Sequence, residues 1–493
     1  MSQQILDSLK YFQPETILTV TFCVAILADL IFPKAQKQIG YISFLGILVA
    51  ILFALRCDFG NGISIFSNMY AVDAFSVFFK VIIGISSLIV IAFSLQSDEL
   101  NTKGRKLGEY YALLVALTLG MFLMTGASNL LMMYLALELS SITSYILSGY
   151  MREKEDSSEA SLKYILFGAA ASGAMLYGIS ILFGLTGSLD IYAIQKAMTS
   201  GGMNSITLLF ATIFILVGFG YKISAAPFHF WTPDVYQGSP ITITALLAVA
   251  SKAGGFAMMI RFFAIGFSQP TVNGFVNIIQ GFDWQMIIAA ISVLTMTLGN
   301  LVAVWQTNMK RLLAYSSIAH AGYMLMAFTV MSNSGIAAIM LYFIIYLFMN
   351  LGAFYVVMIL AQKLGSEDVE DYKGLAYRSP LVCVVMALFL VSLTGLPPTA
   401  GFIGKLYIFS SLIAEKWYWL ALIGALNSVV SLFYYVKVFK NMFLKQPEGD
   451  TLSITFSPYQ IAWMMILAIP TLFFGLYFSP LVEYAQASVK MFQ

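Results

Sequence analysis

The chain has 493 residues, of which 60% are hydrophobic and only 10% charged, with a mean hydropathy of +0.85. A water-soluble domain carries about 25% charged residues, so a soluble multidomain enzyme and a disordered chain are both excluded, and a polytopic membrane protein is left. The net charge of +2 offers no basic face for nucleic acid.

Met1 to Pro14 is polar and mildly amphipathic and lacks the basic region and cleavage site of a secretory signal. Thr16–Phe32 therefore reads as a retained first span. A helix needs about 20 apolar residues to cross the hydrocarbon layer. Such runs fall at 16–32, 39–56, 71–95, 109–126, 128–149, 162–185, 205–224, 241–265, 284–304, 311–330, 334–361, 380–414, 417–439 and 457–480, which makes fourteen spans. The short alternating segments of a membrane β-barrel are not seen. The expected fold is an all-α integral membrane bundle.

Connections after odd-numbered spans hold Lys34, Lys37, Lys103, Arg105, Lys106, Arg152, Lys154, Lys310, Arg311, Lys363, Lys373, Arg378, Lys440 and Lys445. The other side holds only Lys10, Lys196, Arg261, Lys416 and Lys490. Positively charged loops stay in the cytoplasm, so both termini are expected on the non-cytoplasmic side. The unbroken alternation supports an even number of spans.

Span seven runs into Gly218-Phe-Gly-Tyr-Lys-Ile-Ser-Ala-Ala-Pro227, and span twelve contains Thr394-Gly-Leu-Pro-Pro-Thr-Ala-Gly401. Proline removes a backbone donor and clashes with the preceding turn. Backbone groups freed at membrane depth are tolerated only inside protein or beside a hydrated cavity. Two broken helices five spans apart point to inverted repeats built from spans 4–8 and 9–13; two unrelated proline kinks are the other reading. The expected divisions are 1–104 for spans one to three, 105–265 and 266–442 for the repeats, and 443–493 for the last helix.

An ionisable group at the bilayer centre costs about 2.5–3.5 kcal/mol on insertion scales and marks an ion path by default. Glu138 lies in the middle of span five and Lys252 midway along span eight. Lys222 lies at the first break, Lys405 just after the second, and His320 midway along span ten. A carboxylate and a lysine held together keep each other charged; moved apart, the lysine can lose its proton and the carboxylate gain one. Glu138 with Lys222 thus reads as a proton switch, with Lys252, His320 and Lys405 extending the relay. Static ion pairs between helices are the competing reading, and for His320 it is a hydrogen-bonded packing role. Lys163, at the start of span six, is either functional or snorkelling to the interface. His229, beside the first break, is either a proton-accepting group or an interfacial residue. Asp29, Asp73, Glu109 and Lys437 lie near span ends and read as solvated or snorkelling.

Cys23, Cys57 and Cys383 are far apart and read as apolar core thiols, not a disulfide framework or an iron–sulfur site. Haem ligation by two histidines would consume both that the chain has. No Walker or Rossmann fingerprint is present, and no polar pocket beyond the charged axis suggests a solute site.

The stretch Lys222-Ile-Ser-Ala-Ala-Pro-Phe-His-Phe-Trp-Thr-Pro-Asp-Val-Tyr-Gln-Gly-Ser-Pro240, followed by Ala250-Ser-Lys252, resembles the antiporter-like subunits of NADH–quinone oxidoreductase, respiratory complex I. Gly395-Leu-Pro-Pro-Thr-Ala-Gly-Phe-Ile-Gly-Lys405 matches too, as do Leu137-Glu-Leu and Lys163-Tyr-Ile-Leu-Phe-Gly. The resemblance covers roughly residues 105–440, and among the three paralogous types the chain looks most like the smallest, the N type. It implies proton translocation without redox chemistry in this chain. It also implies paralogous antiporter-like subunits and other membrane subunits of complex I as partners, with lipids around them and no nucleic acid. NADH, FMN, iron–sulfur clusters and quinone are expected in those partner subunits, with no cofactor or metal here. The implied location is a bacterial inner membrane. By motif, Glu138 becomes the span-five carboxylate, Lys222 its partner, Lys252 the central lysine, Lys405 the terminal lysine and Lys163 the span-six lysine. His320 stands where some paralogues use lysine. The same motifs occur in multisubunit sodium/proton antiporters and hydrogenase-type complexes. A scaffold subunit and a stand-alone carrier are the remaining alternatives.

Overall fold

The computed structural model describes residues 2–57, 60–101, 105–200, 202–272, 274–279, 282–447 and 453–491. Lys103 lies outside them. Thirteen helices among the described residues are long and apolar enough to cross a membrane: Gln13–Ile31, Gln36–Arg56, Ala74–Gln96, Gly108–Gly126, Leu130–Ser148, Glu155–Thr186, Ser205–Ile223, Ile241–Gly266, Trp284–Val304, Met309–Val330, Asn333–Leu364, Tyr418–Leu444 and Pro458–Leu476. Span twelve is split into Pro380–Thr394 and Ala400–Ala414. With these two halves in its place, the order of the fourteen expected spans is kept. A short amphipathic helix, Ser2–Tyr11, precedes the first.

Local chemistry sets the helix ends. Asn129, Asn204, Asp283, Asn308 and Ser332 each accept a backbone N–H from the first turn they precede, which satisfies donors that have no partner within the helix. At the second break Gly395 takes φ +86°, a left-handed conformation that side chains disfavour, and Pro397 and Pro398 supply no donor to continue the helix.

Spans eight, ten and eleven are buried almost throughout, whereas spans one, thirteen and fourteen line the rim. Leu, Ile and Phe side chains dominate the exposed surface there, as a lipid-facing perimeter requires. Two short antiparallel hairpins, Ile63–Ile65 with Tyr70–Val72 and Ser268–Thr271 with Gly274–Asn277, follow spans two and eight and qualify the purely helical expectation. Span eight is not a uniform α-helix. π-Helical segments, Leu247–Ser251 and Phe262–Gly266, flank its α-helical centre Lys252–Arg261. Such segments mark functional sites more often than chance.

Several sequence readings need correction. Asp73 is not solvated: it is 1% exposed and bound in two places by Arg261, which is itself fully buried inside span eight and is no loop cation. A second buried pair, Glu15 with Lys80 at 2.7 Å, joins spans one and three; neither residue was singled out from the sequence. Of the three cysteines only Cys383 is buried, and Cys23 is exposed on span one. Asp29 and Lys437 are half-buried and Glu109 is exposed.

Candidate functional site

Lys222 sits in the last turn of the helix Ser205–Ile223, which Ser224 ends with φ +61°. The chain beyond is pinned by the Ala226 N–H, which donates to Thr295 Oγ1 at 2.9 Å. Gly255 of span eight packs here, and a Cβ at that position would press on Ile223 and Lys222. Lys222 is buried, and its Nζ donates to Ser141 Oγ at 3.3 Å. Ser141 lies about one turn beyond Glu138 on span five. Glu138 is half-buried and lines a 510 Å³ cavity with Tyr134, Tyr145 and Ser172. The structure brings Glu138 and Lys222 to the same serine-lined region without joining them as an ion pair.

Lys252 is 1% exposed; its Nζ donates to the carbonyls of Ile223 at 3.1 Å and Ser317 at 3.2 Å. Ile223 is the last residue of its broken helix, so its carbonyl has no helical partner and carries the negative end of the helix dipole. Lys405 repeats the arrangement. Its Nζ donates to the carbonyl of Thr394, the last residue before the second break, at 2.7 Å, and to Ser428 Oγ at 2.9 Å. It also lies 4.5 Å from the centre of the Tyr323 ring, a contact that favours a cation. Each broken helix thus ends on a buried lysine.

His320 lies between the two. Its Nδ1 hydrogen-bonds the Tyr342 hydroxyl at 2.7 Å and its Nε2 the Tyr435 hydroxyl at 3.3 Å. Tyr435 continues to Ser316 Oγ at 2.5 Å. His229 is buried after the first break, and its Nδ1 has no hydrogen-bond partner. The same holds for Ser224 Oγ and Ser251 Oγ, which lie beside Lys222 and Lys252 in the chain.

Lys163 does not join this line. Span six begins at Glu155, about two turns before it. Its Nζ pairs with Glu159 and Asp234, each at 2.6 Å, and Asp234 also holds Arg311 at 2.5 Å. Burial pushes the Asp234 carboxyl up, but Lys163 and Arg311 outweigh it and hold the group below the usual carboxylate range. Asp234 stands within the Trp-Thr-Pro-Asp run after the first break, outside any apolar span, and so carries no signal of its own in the sequence. Among the described residues, no group of three or more His, Cys, Asp or Glu side chains is placed to hold a metal ion.

Two broken spans, each ending on a buried lysine within an apolar bundle, define a polytopic membrane protein of the antiporter-like class. Residues 127–431 match the family described as NADH:quinone oxidoreductase/Mrp antiporter, transmembrane. The chain is 46% identical to NADH-quinone oxidoreductase subunit N 2 of Chloroherpeton thalassium, over 99% of this chain and 97% of that one. It is 42% identical to subunit N of Chlorobium chlorochromatii over the same shares. In structure it is similar to a chain of respiratory complex I from Thermus thermophilus, with TM-score 0.78, 30% identity, and 95% and 98% of the two chains covered. A chain of the Mrp complex from Dietzia, at TM-score 0.80 and 19% identity over 99% and 97%, shares the fold. The chain belongs to this family, as an antiporter-like membrane subunit of the N type of NADH–quinone oxidoreductase.

Proposed function

We propose that this subunit carries protons across the membrane through two half-channels, one in each repeat, joined along Glu138, Lys222, Lys252, His320 and Lys405. The observation that carries the reading is the partner set of the three lysines. Lys222, Lys252 and Lys405 are buried on hydroxyls and on carbonyls freed by the two breaks. An ammonium on neutral acceptors is held less tightly in its charged form than one on a carboxylate, so its proton can be passed on. The unpartnered hydroxyls along the line are places where water is held. Ser141 lies between Glu138 and Lys222, so a small movement of either side chain makes or breaks their pairing.

Electron transfer from NADH to quinone is assigned to partner subunits that hold FMN and the iron–sulfur clusters, and this chain performs no redox step. The bacterial relatives support an inner-membrane location, and the Lys and Arg bias supports an orientation with both termini outside the cytoplasm. His229 takes or gives a proton beside the first break, and Lys163 tunes the surface end of span seven through Asp234. In membrane vesicles, Glu138→Ala or Lys222→Ala should lower NADH-driven proton pumping and coupled quinone reduction while the complex still assembles. Normal pumping in either variant refutes the switch.

A further inference from the structure

A large cavity among the described residues lies off the axis. It is a cleft of 840 Å³ at one end of the bundle, and six acidic and three basic side chains line it. Every lining segment comes from a connection after an odd-numbered span or the adjoining helix ends, from Asp98 and Glu153 to Gly238, Lys310 and Glu367. This is the face that the Lys and Arg bias assigns to the cytoplasm. An acidic excess in a cleft with low-dielectric walls raises the local concentration of cations, protons included.

The floor of the cleft is built. Lys310 is 3% exposed; its Nζ pairs with Glu367 Oε1 at 2.9 Å and donates to the Ser239 carbonyl at 3.2 Å. Glu367 is fixed from the other side, where Asn308 Nδ2 donates to its Oε2 at 3.2 Å and the Met309 N–H to its carbonyl at 2.8 Å. Next to it Ser239 Oγ is buried without a hydrogen-bond partner, and the buried hydroxyls of Tyr236 and Ser317 face each other. Ser317 is also the residue whose carbonyl accepts from Lys252. Ser239, whose carbonyl accepts from Lys310, and the facing pair Tyr236 and Ser317 therefore lie between the cleft and the central lysine.

We propose that this cleft is the proton-loading mouth of the first half-channel, with the Lys310–Glu367 pair as its gate and Ser239, Tyr236 and Ser317 as the path to Lys252. The proposal rests on the proton-translocation reading above. In this reading a proton taken at the cleft passes toward Lys252 when the pair opens or exchanges it, because Lys310 Nζ bridges Glu367 on the cleft wall and the Ser239 carbonyl.

The test uses the whole complex in vesicles that turn the cytoplasmic face outward. Ala361→Cys places a thiol on the cleft wall away from the pair. Before labelling, this variant should pump like the parent. A membrane-impermeant sulfonated methanethiosulfonate should then modify it, verified by mass, and lower pumping by about threefold or more. The same reagent on the parent complex should do little. Lys310→Met should also lower pumping, and Lys310→Arg should keep most of it. Full labelling with unchanged pumping, or failure of the thiol to label, overturns the mouth. If either occurs while Lys222→Ala still abolishes pumping, the mouth is wrong and the axis stands. If Lys222→Ala also pumps normally, both fall.

Discussion

Arg261 and Asp73 give the most quantitative expectation. Arg261 Nη1 and Nη2 each donate to a different Asp73 oxygen at 2.8 Å, and Nε donates to the Thr125 carbonyl at 3.2 Å. Asp73 Oδ1 also accepts the Ser76 N–H at 2.8 Å and so caps span three. Both side chains are at most 1% exposed. Arg261→Met keeps most of the volume but takes both arginine hydrogen bonds and the positive charge away from a buried carboxylate. Breaking one side of such a pair costs about 3–5 kcal/mol. In Asp73→Asn/Arg261→Met no charge is left uncompensated, and asparagine still caps the helix. What remains lost is a set of charge-assisted hydrogen bonds, offset by removal of the desolvation cost, so the double variant should sit within about 2 kcal/mol of the parent.

The double variant should therefore be more stable than Arg261→Met by about 2 kcal/mol. The readout is the amount of assembled complex in membranes by native gel, together with the midpoint of thermal inactivation of the purified complex. A change of about 1–2 kcal/mol alters abundance several-fold, so the ordering is visible even where unfolding is irreversible. A single variant as abundant as the parent, or a double variant worse than the single, refutes the pairing argument.

Ser141→Ala removes the Lys222 hydrogen bond, and because bonds to charged groups contribute about 1.5–3 kcal/mol, pumping should fall without loss of assembled complex; unchanged pumping takes Ser141 off the path. Gly401→Ala would drive a Cβ into the Ser392 carbonyl at the second break, so this variant should assemble poorly, as judged by complex yield. Asp234→Asn frees Lys163 and Arg311 and should lower thermal stability. Because the Asp234 carboxyl is held below its ordinary value of 3.8, its contribution is complete above that pH and is lost as pH falls through the folded value. The gap in inactivation midpoint between parent and variant should then stay flat from about pH 6 to 8; a gap that opens or closes in that window contradicts the assignment.

The spans and both breaks were legible because bilayer thickness and proline act on sequence directly, without tertiary partners. Glu138, Lys222, Lys252 and Lys405 were legible for the same reason: a charge inside an apolar run is expensive wherever the run packs. Lys80 carries that signal too, between Phe79 and Val81 in span three, and belonged with them. Asp73 was misread because a carboxylate at a span end looks the same whether water or an arginine 188 positions away satisfies it. The π-helical segments of span eight have no compositional mark at all. The cleft above Lys310 is assembled from several connections, so no local stretch announces it.

The buried cations divide by partner. Lys80 and Arg261 face carboxylates at 2.7 and 2.8 Å, and those partners lie in spans one and three, ahead of the residues that match the family. Lys222, Lys252 and Lys405 face hydroxyls and carbonyls instead. A carboxylate fixes a cation's charge and repays burial only if the pair stays together, so such pairs serve as anchors. A carbonyl at the end of a broken helix supports a positive charge without requiring it. That explains why breaks and lysines occur together: each break supplies, deep in the bundle, a carbonyl acceptor for a buried ammonium. By the same division Lys163, paired with Glu159 and Asp234, belongs with the anchors: it holds Asp234 and, through it, the short helix Trp231–Gly238 that follows the first break.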